Sequence, residues 1–110
     1  MILPKSKWPK YLKAFEQLKG IAYGDCVSGE QFSHPTAHAH CETGWICLYS
    51  KSRIKNRLLM LHEVAHLISM KRYHCDSWRY ALIDIGGTLT EFPVTKDLVV
   101  KDFRKRIVIG

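Results

Sequence analysis

The longest apolar run in the chain is Leu58-Leu59-Met60-Leu61-His62-Glu63-Val64-Ala65-His66-Leu67-Ile68, and its spacing predicts a helix from about Arg53 to about Met70. Leu58, Leu59, Leu61, Val64, Ala65, Leu67 and Ile68 leave that helix apolar nearly all round, which suits the central helix of a small domain. Ser50 or Ser52 can cap its start, and Lys71-Arg72 fits the negative end of its dipole. Upstream, Tyr11, Leu12, Phe15 and Leu18 recur at helical spacing, predicting a helix that begins near Pro9 and stops at Gly20. Gly24 and Gly29 interrupt the stretch from Ile21 to Phe32, which reads as a short strand or an irregular connection. Gly44-Trp45-Ile46-Cys47-Leu48-Tyr49 is strand-like, with aromatic and β-branched residues after a glycine.

Downstream, Asp76 can cap a helix over Ser77 to Ile85, with Trp78, Leu82 and Ile85 at core spacing and Gly86-Gly87 at its end. In the tail, Thr95 or Asp97 can start another helix carrying Leu98, Val99 and Phe103. Ile107-Val108-Ile109 fits a short strand or a docking segment. With 110 residues, 1–110 is expected to form a single domain with a modest core.

The chemistry lies in the central run. His62-Glu63-Val64-Ala65-His66 is an H-E-x-x-H pattern, and on a helix positions i and i+4 share one face. His62 and His66 can therefore hold one metal ion, with Glu63 beside it in reach of a water. The plain alternative is two histidines and a glutamate on a packed helix. Three polar groups in so apolar a helix need partners, and a metal serves all of them at once. Two imidazoles suit zinc, and a catalytic zinc takes three protein ligands plus an open position. His74, Cys75 and Asp76 are the candidates for the third. His74 sits in a polar connection that can turn back on the helix, Cys75 would make a His/His/Cys site, and Asp76 is better used as a cap.

Another group, Ser33-His34-Pro35-Thr36-Ala37-His38-Ala39-His40-Cys41, sets His38 and His40 on one face of a strand and Ala37, Ala39 and Cys41 on the other. Three histidines so close could form a second metal cluster. Pro35 and the scarcity of acidic partners near them, Glu42 apart, favour structural or substrate-facing histidines instead. Cys26, Cys41, Cys47 and Cys75 contain no C-x-x-C pair, so no zinc ribbon is expected. Thiols are expected, although Cys41 and Cys47 could bridge from neighbouring strands.

The order Leu61-His62-Glu63-Val64-Ala65-His66-Leu67-Ile68, a short polar turn, then His74-Cys75-Asp76-Ser77-Trp78 and a helix ending at Gly86 resembles the SprT-like zinc metallopeptidases. That family pairs an H-E-x-x-H helix with a later H-G-x-x-W or similar motif opening the next helix. The Gly44–Leu48 strand fits its plan, and the resemblance spans about Gly44 to Gly87. It implies a zinc-dependent metalloprotease with Zn²⁺ on His62, His66 and His74 and catalysis by Glu63. It also implies an α+β, zincin-like fold: the H-E-x-x-H helix packed on a short antiparallel sheet, then a second helix with the third ligand at its start. Cys75 replaces the glycine usual after the third histidine, and the zinc ribbon of many members is missing.

On this reading Tyr73, Tyr80 and His40 are candidates to stabilise an oxyanion, and Asp84, Glu91 or Asp97 to orient a ligand histidine. Trp45–Tyr49, as an exposed edge, would pair with an extended protein or peptide substrate. The rival reading is a zinc-stabilised, non-catalytic module that binds DNA or a partner protein, its fourth zinc position closed by Cys75.

The net charge of +7 and pI near 9.4 permit DNA as a partner. The charges are scattered over Lys5–Lys19, Lys51–Arg57, Lys71-Arg72 and Arg104-Lys105-Arg106, so a solvated basic surface accounts for them equally well. No apolar run reaches membrane-spanning length, so no membrane association is expected. The start, Met1-Ile2-Leu3-Pro4-Lys5, lacks a signal-peptide core, and a cytoplasmic, intracellular location is expected.

Overall fold

Two four-residue strands, β2 (Gly20–Tyr23) and β4 (Trp45–Leu48), pair in parallel at the centre of a sheet. In this computed structural model, which describes residues 1–29 and 36–86, β1 (Ile2–Leu3) pairs antiparallel with β2. The outer strand β3 (Ala37–His40) pairs antiparallel with β4, giving the order β1-β2-β4-β3. The domain is α+β as expected, but the sheet is mixed rather than antiparallel. The parallel pair arises because β3 intervenes in sequence between β2 and β4 and takes the outer place.

The strand expected at an exposed edge, Trp45–Tyr49, is observed as Trp45–Leu48 and is interior, hydrogen-bonded on both sides. Its central residues Ile46, Cys47 and Leu48 are fully buried, as near-continuous apolar composition requires. At its start the Trp45 ring lies directly over Gly20, where a Cβ would collide with it. Gly44, at φ +78°, closes the β3–β4 turn: its N–H donates to the His40 carbonyl at 2.8 Å, and its own carbonyl accepts from Lys19 N–H at 2.8 Å.

The central helix, α1 (Arg57–Ser69), starts later than the sequence suggests. Lys51–Lys55 forms a separate 3₁₀ turn, and Asn56, not Ser50 or Ser52, caps α1 by accepting from the Leu59 N–H at 3.1 Å. Asn is among the strongest N-caps because its side-chain oxygen reaches the third helical N–H. Asn56→Ala should cost about 1 kcal/mol, read as a lower thermal midpoint with unchanged metal content. α1 ends at Met70, held in the left-handed region at φ 57°. Lys71-Arg72 therefore lies beyond the helix, and Arg72 pairs with Glu42 at 3.0 Å instead.

α1 is enclosed on two sides. Leu59, Met60, Val64 and Leu67 pack with Leu3, Trp8, Leu12, Leu18, Ile21, Ile46 and Leu48 in the core against the sheet. Leu61 and Ala65 pack with Trp78, Ala81 and Leu82 of the second helix, α2 (Asp76–Asp84). This explains why α1 is apolar on nearly every face. α2 opens at Cys75, so Asp76 is its first residue and not its cap.

The expected N-terminal helix is a 3₁₀ turn over Lys10–Ala14. Leu12 and Leu18 are buried as their spacing implies, but the backbone bonds run i to i+3, from Phe15 N to Leu12 O and from Leu18 N to Phe15 O. Too short a segment to hold an α-helix alone, it gives the Lys19 N–H to the β3–β4 turn. His34 and the readings on Thr88 to Gly110, including Glu91 and Asp97, lie outside the described residues. No described helix is long and apolar enough to cross a membrane.

Candidate metal centre

The i, i+4 spacing on α1 places His62 and His66 side by side, with ring centroids 5.0 Å apart. The connection after Met70 turns back and delivers His74, whose ring centroid is 4.8 Å from that of His62 and 4.9 Å from that of His66. The three imidazoles thus form a nearly equilateral triangle. His74 Nε2 and His62 Nε2 are 3.0 Å apart, and one ligand atom from each of the three residues lies within 4.8 Å of the others. Two nitrogens on one tetrahedral zinc stand about 3.3 Å apart, so the donor set fits such an ion.

The surroundings prepare these rings for a cation. His66 Nδ1 lies 2.7 Å from the Lys71 carbonyl and donates to it, which turns Nε2 and its lone pair inward. Trp78 packs against all three rings at centroid distances of 5.0, 5.5 and 4.5 Å, and its Nε1–H donates to the His62 carbonyl at 3.2 Å. Burial holds His66 below the usual imidazole range. Burial first, and the neighbouring His66 second, push His74 down to about 3. Neutral imidazole is the form that binds a metal.

Glu63 is 2% exposed, and burial pushes its carboxyl up to about 8. It lines a cleft of about 510 Å³ together with His66, Arg72 and the β3 residues His38, Ala39 and His40. That cleft runs along the outer strand of the sheet.

Cys75 stands outside the histidine cluster. Tyr73 and Tyr80 are exposed at 63% and 57%, and Asp84 is exposed at the far end of α2. The ring-orienting acceptor is a backbone carbonyl, that of Lys71, which no side-chain pattern could reveal. His40 belongs elsewhere: with His38 it meets Cys26 and Cys47 in a second Cys/His cluster able to hold a metal ion. None of the four cysteines is in a disulfide, including the Cys41–Cys47 pair considered from sequence. Cys41 instead donates from Sγ to the His66 carbonyl at 3.4 Å. The chain matches no protein-family model, no curated protein and no solved structure.

Proposed function

We propose that this protein is a zinc-dependent peptidase of the SprT-like, zincin kind. The observation that carries the reading is the triangle of His62, His66 and His74, of which His66 lines a cleft with Glu63 along an outer strand. His62, His66 and His74 would hold the zinc, which would supply Lewis acidity and a water made nucleophilic near neutral pH. Glu63 takes the proton of the attacking water and returns it to the leaving amine. The apolar walls from α1 and Trp78 keep bulk solvent from the ligands, and the Lys71 carbonyl keeps the His66 ring in its ligating orientation.

Extended peptides would pair with β3, the outer strand beside Glu63, rather than with β4. The separation of Cys75 from the cluster supports an open fourth position and speaks against the non-catalytic module, which needs a closing ligand.

The test is incubation of the zinc-loaded full chain with an unfolded protein substrate such as casein, with products read by mass spectrometry. Cleavage should disappear with a chelator and return with zinc. A zinc-loaded chain that cuts no unfolded protein would sink the proposal.

A further inference from the structure

We infer that Cys26, His38, His40 and Cys47 form a second, structural zinc site of the Cys₂His₂ type, on the face of the sheet opposite α1. The register builds it. His38 lies directly across the antiparallel ladder from Cys47, so both side chains project from the same face, and His40 follows two residues on. Ala37 and Ala39, opposite Leu48 and Ile46, take the other face with the core. Cys26 comes from the loop after β2, the strand that runs parallel to β4 on its other side.

The donor atoms converge. Cys26 Sγ is 3.2 Å from His38 Nε2, 3.2 Å from His40 Nε2 and 3.9 Å from Cys47 Sγ. All four donors lie within 4.8 Å of one another. Tetrahedral zinc, with bonds of about 2.0–2.1 Å to nitrogen and about 2.3 Å to sulfur, sets its donors about 3.3–3.8 Å apart. The two histidine rings meet edge-on, 4.9 Å between centroids at 85°, which lets both Nε2 atoms address one point. The Ser28 N–H donates to Cys26 Sγ at 3.5 Å, the kind of bond that supports a thiolate ligand.

Two thiolates and two imidazoles select zinc over hard cations, and four protein ligands close the coordination sphere. This site therefore has no position for substrate. Its role is to staple the loop carrying Cys26 and the outer strand β3 onto β4. His38 and His40 also line the cleft that holds Glu63, so the staple fixes one wall of the proposed active site.

The experiment is metal analysis and cobalt substitution of the full chain, wild type beside Cys26→Ser, His38→Ala and His62→Ala. Wild type should carry two zinc ions per chain and each variant one. Cobalt-loaded wild type and His62→Ala should show near-ultraviolet thiolate-to-cobalt charge transfer. Cys26→Ser should lose at least half of it, because Cys47 is the one sulfur left to that site and the three-histidine site holds none. The wild-type spectrum decides even if a variant fails to fold. Absence of charge transfer in cobalt-loaded wild type, its persistence at full intensity in Cys26→Ser, or a Cys26–Cys47 disulfide in place of bound metal would each overturn the site. None of these readouts depends on peptidase activity.

Discussion

Glu63→Gln should keep its zinc at the three-histidine centre and lose peptide hydrolysis by about 10²–10⁴-fold, the range typical of a deleted general base. Glutamine preserves the size of a side chain that is 2% exposed, so the cleft and the ligand triangle should be unchanged. What disappears is a group able to accept a proton. The measurement is the hydrolysis rate beside zinc content in the same preparation, and full activity with full zinc would remove Glu63 from the mechanism. Stability supplies a control in metal-free protein. Burial pushes Glu63 up to about 8, so between about pH 4.5 and 8 the unfolded chain binds fewer protons than the folded one. Up to about pH 6.5 the lowered His66 and His74 act in the opposite sense, so metal-free wild type should lose stability as pH rises from about 6.5 to 8. Glu63→Gln should not show that loss.

His74→Ala should release one zinc per chain. It removes one of three protein ligands, so the affinity of that centre should fall by more than the roughly 10–100-fold that loss of an outer-shell partner costs. The stability change follows by linkage. A zinc present at a thousand times its dissociation constant stabilises the fold by about 4 kcal/mol, equivalent to roughly 15 °C or more in the thermal midpoint of a domain this size. Competition against a chromophoric chelator gives the affinity, and melts with and without zinc give the midpoint. Unchanged zinc binding in His74→Ala would dismantle the triangle and the enzyme reading with it. The experiment also separates His74 from Cys75, since Cys75→Ser should leave the centre intact.

The three-histidine centre was legible in the sequence because its parts are local. His62 and His66 are a helical turn apart, and His74 arrives on the next connection. The Cys/His cluster was not legible, although His38 and His40 share one face of a strand by their spacing alone. Their partners, Cys26 and Cys47, come from opposite sides in sequence and meet them only through the sheet register. The same cause hid which strand is outermost. β4 follows β3 in the chain but lies inside it, because the parallel bond to β2 draws it to the centre. At the N-terminus the apolar spacing found the buried residues, Leu12 and Leu18, but not the 3₁₀ turn that carries Leu12 and ends before Leu18. Spacing reports which side faces the core, not which carbonyl each backbone N–H takes. The start of α1 depended on one asparagine outcompeting two serines.

The outer position of β3 has a cost in handling the protein. Among the described residues β3 ends the sheet, and its sequence, Ala37-His38-Ala39-His40, has none of the lysines or prolines that usually blunt such an edge. A strand open to an extended substrate is equally open to the same strand of another molecule. Concentrated stocks stripped of metal, with His38 and His40 released from the staple, are where edge-to-edge aggregation would begin.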